Sequence, residues 1–131
     1  MKNVLLLGAS GLVAPHITAG LEQYYRLRLA DIKPHPAGRQ IDHVDVADYQ
    51  QVLAAASGMD AILNFTVNRG DPRLSFAANV QGAHNVLRAA VELGIRKVVH
   101  TGPELVVPEY RHEFDLEDAE GASELPPEVE R

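Results

Sequence analysis

Cysteine is absent from these 131 residues. Without thiols there is no disulfide scaffold, no cysteine-based zinc site and no thiol nucleophile. The same absence fits a reducing interior, so the expected location is cytoplasmic. No apolar run approaches the roughly 20 residues that span a bilayer, so no membrane partner is expected. The run Val4-Leu5-Leu6-Leu7 near the N-terminus is too short for a signal peptide. No internal repeat or low-complexity tract occurs. No pair of the six histidines stands at the i, i+4 spacing of a helical metal site, so no metal is expected. Basic residues do not cluster as a nucleic-acid binder would need.

The formal charge of −6 is unevenly placed. Residues 1–103 carry 8 acidic and 10 basic side chains, whereas residues 104–131 carry 10 acidic and 2 basic. The chain therefore divides near Gly102-Pro103 into a nearly neutral domain, 1–103, and an acidic tail, 104–131. Residues 115–131 are polar, contain Pro126-Pro127, and are expected to be weakly ordered.

Val4 to Leu7 is a short continuous apolar run ending at Gly8, the pattern of a strand buried on both faces. A helix is predicted over Leu12–Tyr24, with Leu12, Ile17, Leu21 and Tyr24 inward and Pro15 tolerable only in its first turn. Strands are predicted at Leu27–Asp31, Ile41–Val46, Ala61–Phe65 and Arg96–Thr101. Asp48 should cap a helix through Ser57, ended by Gly58. Asp71-Pro72 should start a helix running to about Leu93, with Gly94 as its C-cap glycine. Leu74, Ala77, Ala78, Val80, Leu87, Ala90 and Val91 are its expected apolar face. Alternating strands and helices predict an α/β fold with a parallel sheet and helices on both faces.

One segment carries chemistry: Gly8-Ala9-Ser10-Gly11-Leu12-Val13-Ala14, between the first strand and first helix. A glycine at the strand end permits a tight turn, and a second lets backbone approach a pyrophosphate. The helix start then offers unpaired N–H groups and a positive dipole end. A glycine pair after a strand also fits a plain turn. Asp31 favours the nucleotide reading, because it ends the second strand 23 residues after Gly8. A carboxylate there can accept both hydroxyl hydrogens of an adenosine ribose and would repel a 2′-phosphate. NAD is therefore expected over NADP, although Lys33 and Arg39 could each reach a phosphate. Ser10 is expected to bond phosphate or the turn itself.

The order of motifs resembles the N-terminal half of an extended short-chain dehydrogenase/reductase, of the NAD-dependent epimerase/dehydratase family. Gly8-x-x-Gly11-x-x-Ala14 has that family's spacing, with alanine for the last glycine. Asp45-Val46 resembles its pair that contacts adenine, and Leu63-Asn64-Phe65-Thr66-Val67 stands where it often has His-Leu-Ala-Ala. Asn79-Val80-Gln81-Gly82 and Asn85-Val86-Leu87-Arg88-Ala89-Ala90 match its Asn-Val-x-Gly helix, and Gly94–Val99 the turn into its next strand. The resemblance covers roughly residues 3–103. It implies a Rossmann-type sheet of about five strands, order 3-2-1-4-5, truncated relative to the family. It implies NAD held by Gly8, Ala9, Ser10, Gly11, Leu12 and Val13 at the pyrophosphate, Asp31 at the ribose, and Asp45 and Val46 at adenine. Phe65, Thr66 and Val67 would line the trough, and Asn79 would fix the nearby loop. The implied parent chemistry is hydride transfer on a sugar nucleotide or similar carbonyl/alcohol substrate.

The chain departs from the family at its reactive pair, a Tyr-x-x-x-Lys. Tyr24, Tyr25, Tyr49 and Tyr110 are followed four residues later by Arg28, Leu29, Leu53 and Phe114. Of the family's Ser/Thr stretch after the fifth strand, Thr101 alone keeps a hydroxyl before Gly102-Pro103, and it is the single weak candidate for a catalytic residue. The chain thus reads as a truncated member, or a fragment of a longer enzyme, and as inactive by itself. The alternative is a non-catalytic module that senses nicotinamide cofactor or mediates protein contacts. An edge strand at Arg96–Thr101, with Val98 and Val99 on it, points to a homo-oligomer or a missing C-terminal half as partner.

Overall fold

The computed structural model describes residues 1–101. The expectations for the acidic tail and for Tyr110 lie outside them. The elements run β1 Lys2–Leu7, α1 Ala14–Glu22, β2 Tyr25–Asp31, β3 Asp42–His43, α2 Tyr49–Ala56, β4 Ala61–Asn64, α3 Pro72–Phe76, a π turn Ala77–Gln81, α4 Gly82–Glu92 and β5 Val98–His100. The five strands form one parallel sheet in the order β3-β2-β1-β4-β5. The predicted strand order and the alternation of strands and helices are found as read.

β1 is central and buried from Val4 to Leu7, which explains why its sequence is continuously apolar rather than alternating. Its side chains still alternate between two faces. Leu5 and Leu7 pack with Val52, Ala55 and Ala56 of α2 and with Val86, Ala89 and Ala90 of α4. Leu6 packs on the opposite face with Ala14 and Leu21 of α1. Helices therefore cover both faces of the sheet. Asp48 caps α2 by accepting from the Gln50 and Gln51 amides, and Asp71 caps α3 by accepting from Arg73 and Leu74.

Three expectations need correction. The first helix begins at Ala14, not Leu12, because the chain is still turning through Gly11–Val13; Leu12 is 82% exposed and packs on nothing inside. The third strand is Asp42–His43 alone, paired with Ala30 and Asp31 at the end of β2. The burial of Val44 and Val46 comes from core packing beyond the strand. The helix after Asp71 turns only part of its expected face inward: Ala90 is buried and Ala78 packs on the core. Gly82, Asn85, Val86, Ala89 and Ala90 are buried, while Leu74, Val80, Leu87 and Val91 are exposed. A π turn at Ala77–Gln81 separates α3 from α4.

Candidate functional site

The carboxyl ends of β1, β2 and β4 meet at Gly8. Its φ is +79°, and a Cβ placed there would lie 2.7–2.8 Å from the backbone of Phe65 and Thr66. Only glycine lets the β1 turn lie this close to the end of β4. The turn is tied to both neighbouring strands: the amides of Gly8 and Ala9 donate to Ala30 O at 3.0 and 3.1 Å, and Phe65 N donates to Leu7 O at 2.9 Å. Gly11 N closes it by donating to Gly8 O at 3.1 Å.

The chain then enters α1, whose N-terminus differs from those of α2 and α3. Its cap residue is Val13, no side chain bonds its free N–H groups, and Pro15 supplies none. An uncapped helix start beside a glycine turn is a ready anion site. The residues present therefore fit a pyrophosphate. Leu12 and Val13 are exposed around this start, and Ala9 and Ala14 are buried beneath it.

Asp31 ends β2 next to the turn. Its Oδ2 accepts the amide of Ser10 at 2.9 Å, and its Oδ1 accepts the amide of Lys33 at 3.0 Å. The carboxylate is thus oriented by two backbone donors, one from each loop. The Ser10 hydroxyl donates to Lys33 O at 2.9 Å, so its proton serves the junction of the two loops. Arg39 is paired with Glu22 at the end of α1, whose carboxylate raises the guanidinium pKa chiefly through their hydrogen bond.

The loop after β3 carries Asp45 and Val46. Asp45 is exposed; its Oδ1 accepts the Ala47 amide at 2.9 Å. Val46 sends its side chain into the core, against Gly82, where a Cβ would come within 2.6 Å of Val46 Cγ2. Asn85, buried on α4, donates to Val46 O at 2.9 Å and Ala47 O at 3.0 Å, and Gln81 donates to Ala47 O at 3.1 Å. Beyond β4, Phe65 and Thr66 are half-buried and Val67 is exposed. Asn79, in the π turn, holds that loop from both sides of one residue: it accepts from Asn68 N at 2.9 Å and donates to Asn68 O at 2.8 Å. Thr101 N donates to Asn64 O at 3.2 Å, which brings the Thr101 hydroxyl to the same edge.

Most of the sequence-derived residues therefore gather along one edge of the sheet. The sequence reading gave no role to Asn64, Asn68 or His100, and quoted Asn85 only within a motif. A single polar residue ending the apolar strand at Asn64 was the available signal. The clustered Asp42, His43, Asp45 and Asp48 separate into different tasks: Asp42 faces Arg28 at 3.8 Å, Asp45 turns its own loop, and Asp48 caps α2. Among the described residues, no group of three or more potential metal ligands gathers. Among them, too, no helix is long and apolar enough to cross a membrane.

The sequence matches the NAD dependent epimerase/dehydratase family over residues 4–129. It is 29% identical over 122 residues to a 3-beta-hydroxysteroid dehydrogenase of Mycolicibacterium neoaurum, covering 82% of this chain and 33% of that protein. A solved short-chain dehydrogenase/reductase superfamily protein of Agrobacterium tumefaciens with bound NAD is similar at TM-score 0.72 and 29% identity, over 83% of this chain and 35% of the other. A mutant uronate dehydrogenase of Agrobacterium tumefaciens, complexed with NAD, is similar at TM-score 0.67 and 29% identity, over 78% of this chain and 41% of the other. The chain spans between 22% and 36% of the length of the curated relatives it matches. With the family matched over nearly its whole length and the glycine turn, strand order and helix motifs in place, the chain belongs to the NAD dependent epimerase/dehydratase family.

Proposed function

We propose that residues 1–103 form a domain that binds NAD(H) across the carboxyl ends of β1, β2 and β4. The observation that carries this reading is the uncapped start of α1 beside the Gly8–Gly11 turn, in a chain whose α2 and α3 starts are filled by Asp48 and Asp71. The pyrophosphate would lie against the amides of Leu12 and Val13, with Gly11 closing the turn beneath it. Asp31, held by Ser10 and Lys33, would accept the two hydroxyl hydrogens of the adenosine ribose. Adenine would rest by the loop of Asp45 and Val46. Ala9 and Ser10 would shape the turn, and Phe65, Thr66 and Val67 would line the trough. Asn79 would keep its loop in place.

Bound NAD would supply hydride acceptance and return. In the whole protein that chemistry would act on a sugar nucleotide or a similar carbonyl/alcohol substrate, an oxidoreductase or epimerase role that the family and the named relatives support. This chain's share is binding and orientation. A second reading, a module that senses nicotinamide cofactor, is favoured by the lack of any Tyr-x-x-x-Lys within the 131 residues. Titration calorimetry of the purified chain tests the cofactor assignment: NAD(H) should bind more tightly than NADP(H), and equal or tighter NADP(H) binding would overturn it.

A further inference from the structure

Asn64 is a polar residue with 0% exposure at the end of an apolar strand. Its Oδ1 accepts the Thr66 amide at 3.1 Å and the Thr66 hydroxyl at 2.6 Å. Its Nδ2 lies 2.9 Å from Nδ1 of His100, its register partner on β5. Buried polar atoms that are all partnered fix one another's roles.

The proton positions follow from one atom. The backbone N–H of Thr66 can only donate, so the Asn64 atom facing it is the carbonyl oxygen. The opposite atom is the amide nitrogen, which can only donate. It faces His100 Nδ1, which must therefore offer a lone pair. The neutral His100 ring then carries its proton on Nε2. The single hydroxyl proton of Thr66 is committed to Asn64 Oδ1. Within this side-chain network, His100 Nε2–H is left as a donor and the Thr66 oxygen as an acceptor.

We propose that Asn64 is a positioning residue that holds His100 as its Nε2–H tautomer and Thr66 as a hydrogen-bond acceptor. The end of β4 then accepts a hydrogen from a ligand hydroxyl or amide, and the end of β5 offers one. That Thr66 meets the cofactor rests on the NAD(H) reading given above. The tautomer does not rest on it.

Two-bond proton–nitrogen NMR of the free protein reads the ring directly, with the His100 signals identified by their loss in His100→Gln. The expected result is a protonated Nε2 and a bare Nδ1 in the neutral ring; an Nδ1–H tautomer overturns the proposal. In Asn64→Asp the new carboxylate cannot donate, so Nδ1 should become protonated. A folded Asn64→Asp protein that keeps a bare Nδ1 shows that Asn64 does not control the ring. In calorimetry, Thr66→Val should weaken NAD(H) binding about 2- to 10-fold, the scale of one hydrogen bond, and Thr66→Ser should restore it. Unchanged binding by Thr66→Val overturns the acceptor role. A wild-type chain that binds no NAD(H) defeats the cofactor reading, while the ring measurement still decides the role of Asn64.

Discussion

The amide of Ser10 donates to the carboxylate of Asp31 at 2.9 Å, across the gap between the β1 turn and the end of β2. This bond joins the two halves of the proposed dinucleotide site, and Lys33 N completes it on the other carboxylate oxygen at 3.0 Å. Asp31 thereby arrives already oriented, which lowers the ordering cost of ligand binding. Asp31→Ala should weaken NAD(H) binding by about 1–3 kcal/mol, the scale for hydrogen bonds to a charged group. Calorimetric titration checks this. Asp31→Asn, which keeps the acceptor toward one loop, should lose less.

Gly8→Ala should be the most disruptive single methyl in the turn. It forces a left-handed backbone on alanine and drives a Cβ to 2.7–2.8 Å from the Phe65–Thr66 backbone, which β4 holds in place. The expected loss is at least about 1–3 kcal/mol, the cost of one strained backbone site before any clash is counted. Urea denaturation gives the value, and a midpoint within error of wild type would contradict this reading of the turn.

The loop at Val46–Ala47 depends on α4 rather than on strand pairing. Asn85→Ala strips one hydrogen bond each from Val46 O and Ala47 O, and leaves Val46 O a buried acceptor while Ala47 O keeps Gln81. We expect about 1–3 kcal/mol of destabilisation. Amide exchange at Ala47 and Asp48 should quicken more than in the core of β1. Gly82→Ala should act on the same loop by pushing against Val46 Cγ2.

Asp48 sets a pH dependence. The Gln51 amide, then the Gln51 side chain, hold its carboxyl below the ordinary aspartate range. Its native pKa is thus lower than its unfolded one, and the ionised form favours the fold. The contribution is complete above the unfolded value of about 3.9 and is lost as pH falls through the lower native value. Thermal melts of Asp48→Ala should run below wild type at neutral pH, and the difference should shrink toward pH 2. A constant gap would mean that the cap acts independently of charge.

The 131-residue chain with NAD should transfer no hydride to or from sugar nucleotides. The motive is the absence of Tyr-x-x-x-Lys in its sequence. Absorbance at the reduced-cofactor band is the readout. Turnover abolished by changing Thr101 or Tyr110 would reveal a different reactive group.

Features set by neighbours along the chain were legible in the amino-acid order. The buried run Val4–Leu7, the glycine turn, Asp31 and the caps Asp48 and Asp71 each act over a few residues, so composition and spacing expose them. The parallel order β3-β2-β1-β4-β5 was legible only through the family resemblance that these motifs carry together. Other features needed the folded chain. Leu87 and Val91 fit an apolar face by spacing, yet α4 buries Asn85, Val86, Ala89 and Ala90 against the sheet core and the Val46 loop instead. Ile41–Val46 alternates like a strand, but β2 ends at Asp31, so past His43 only the Val44 amide still bonds to it. The Asn64–His100 contact joins residues 36 apart, and the grip of Asn85 on Val46 joins residues 39 apart. Local sequence decides what each segment can become. Which polar atoms meet across the sheet, and hence which protons the site presents, is decided only when parallel pairing brings distant strand ends to one edge.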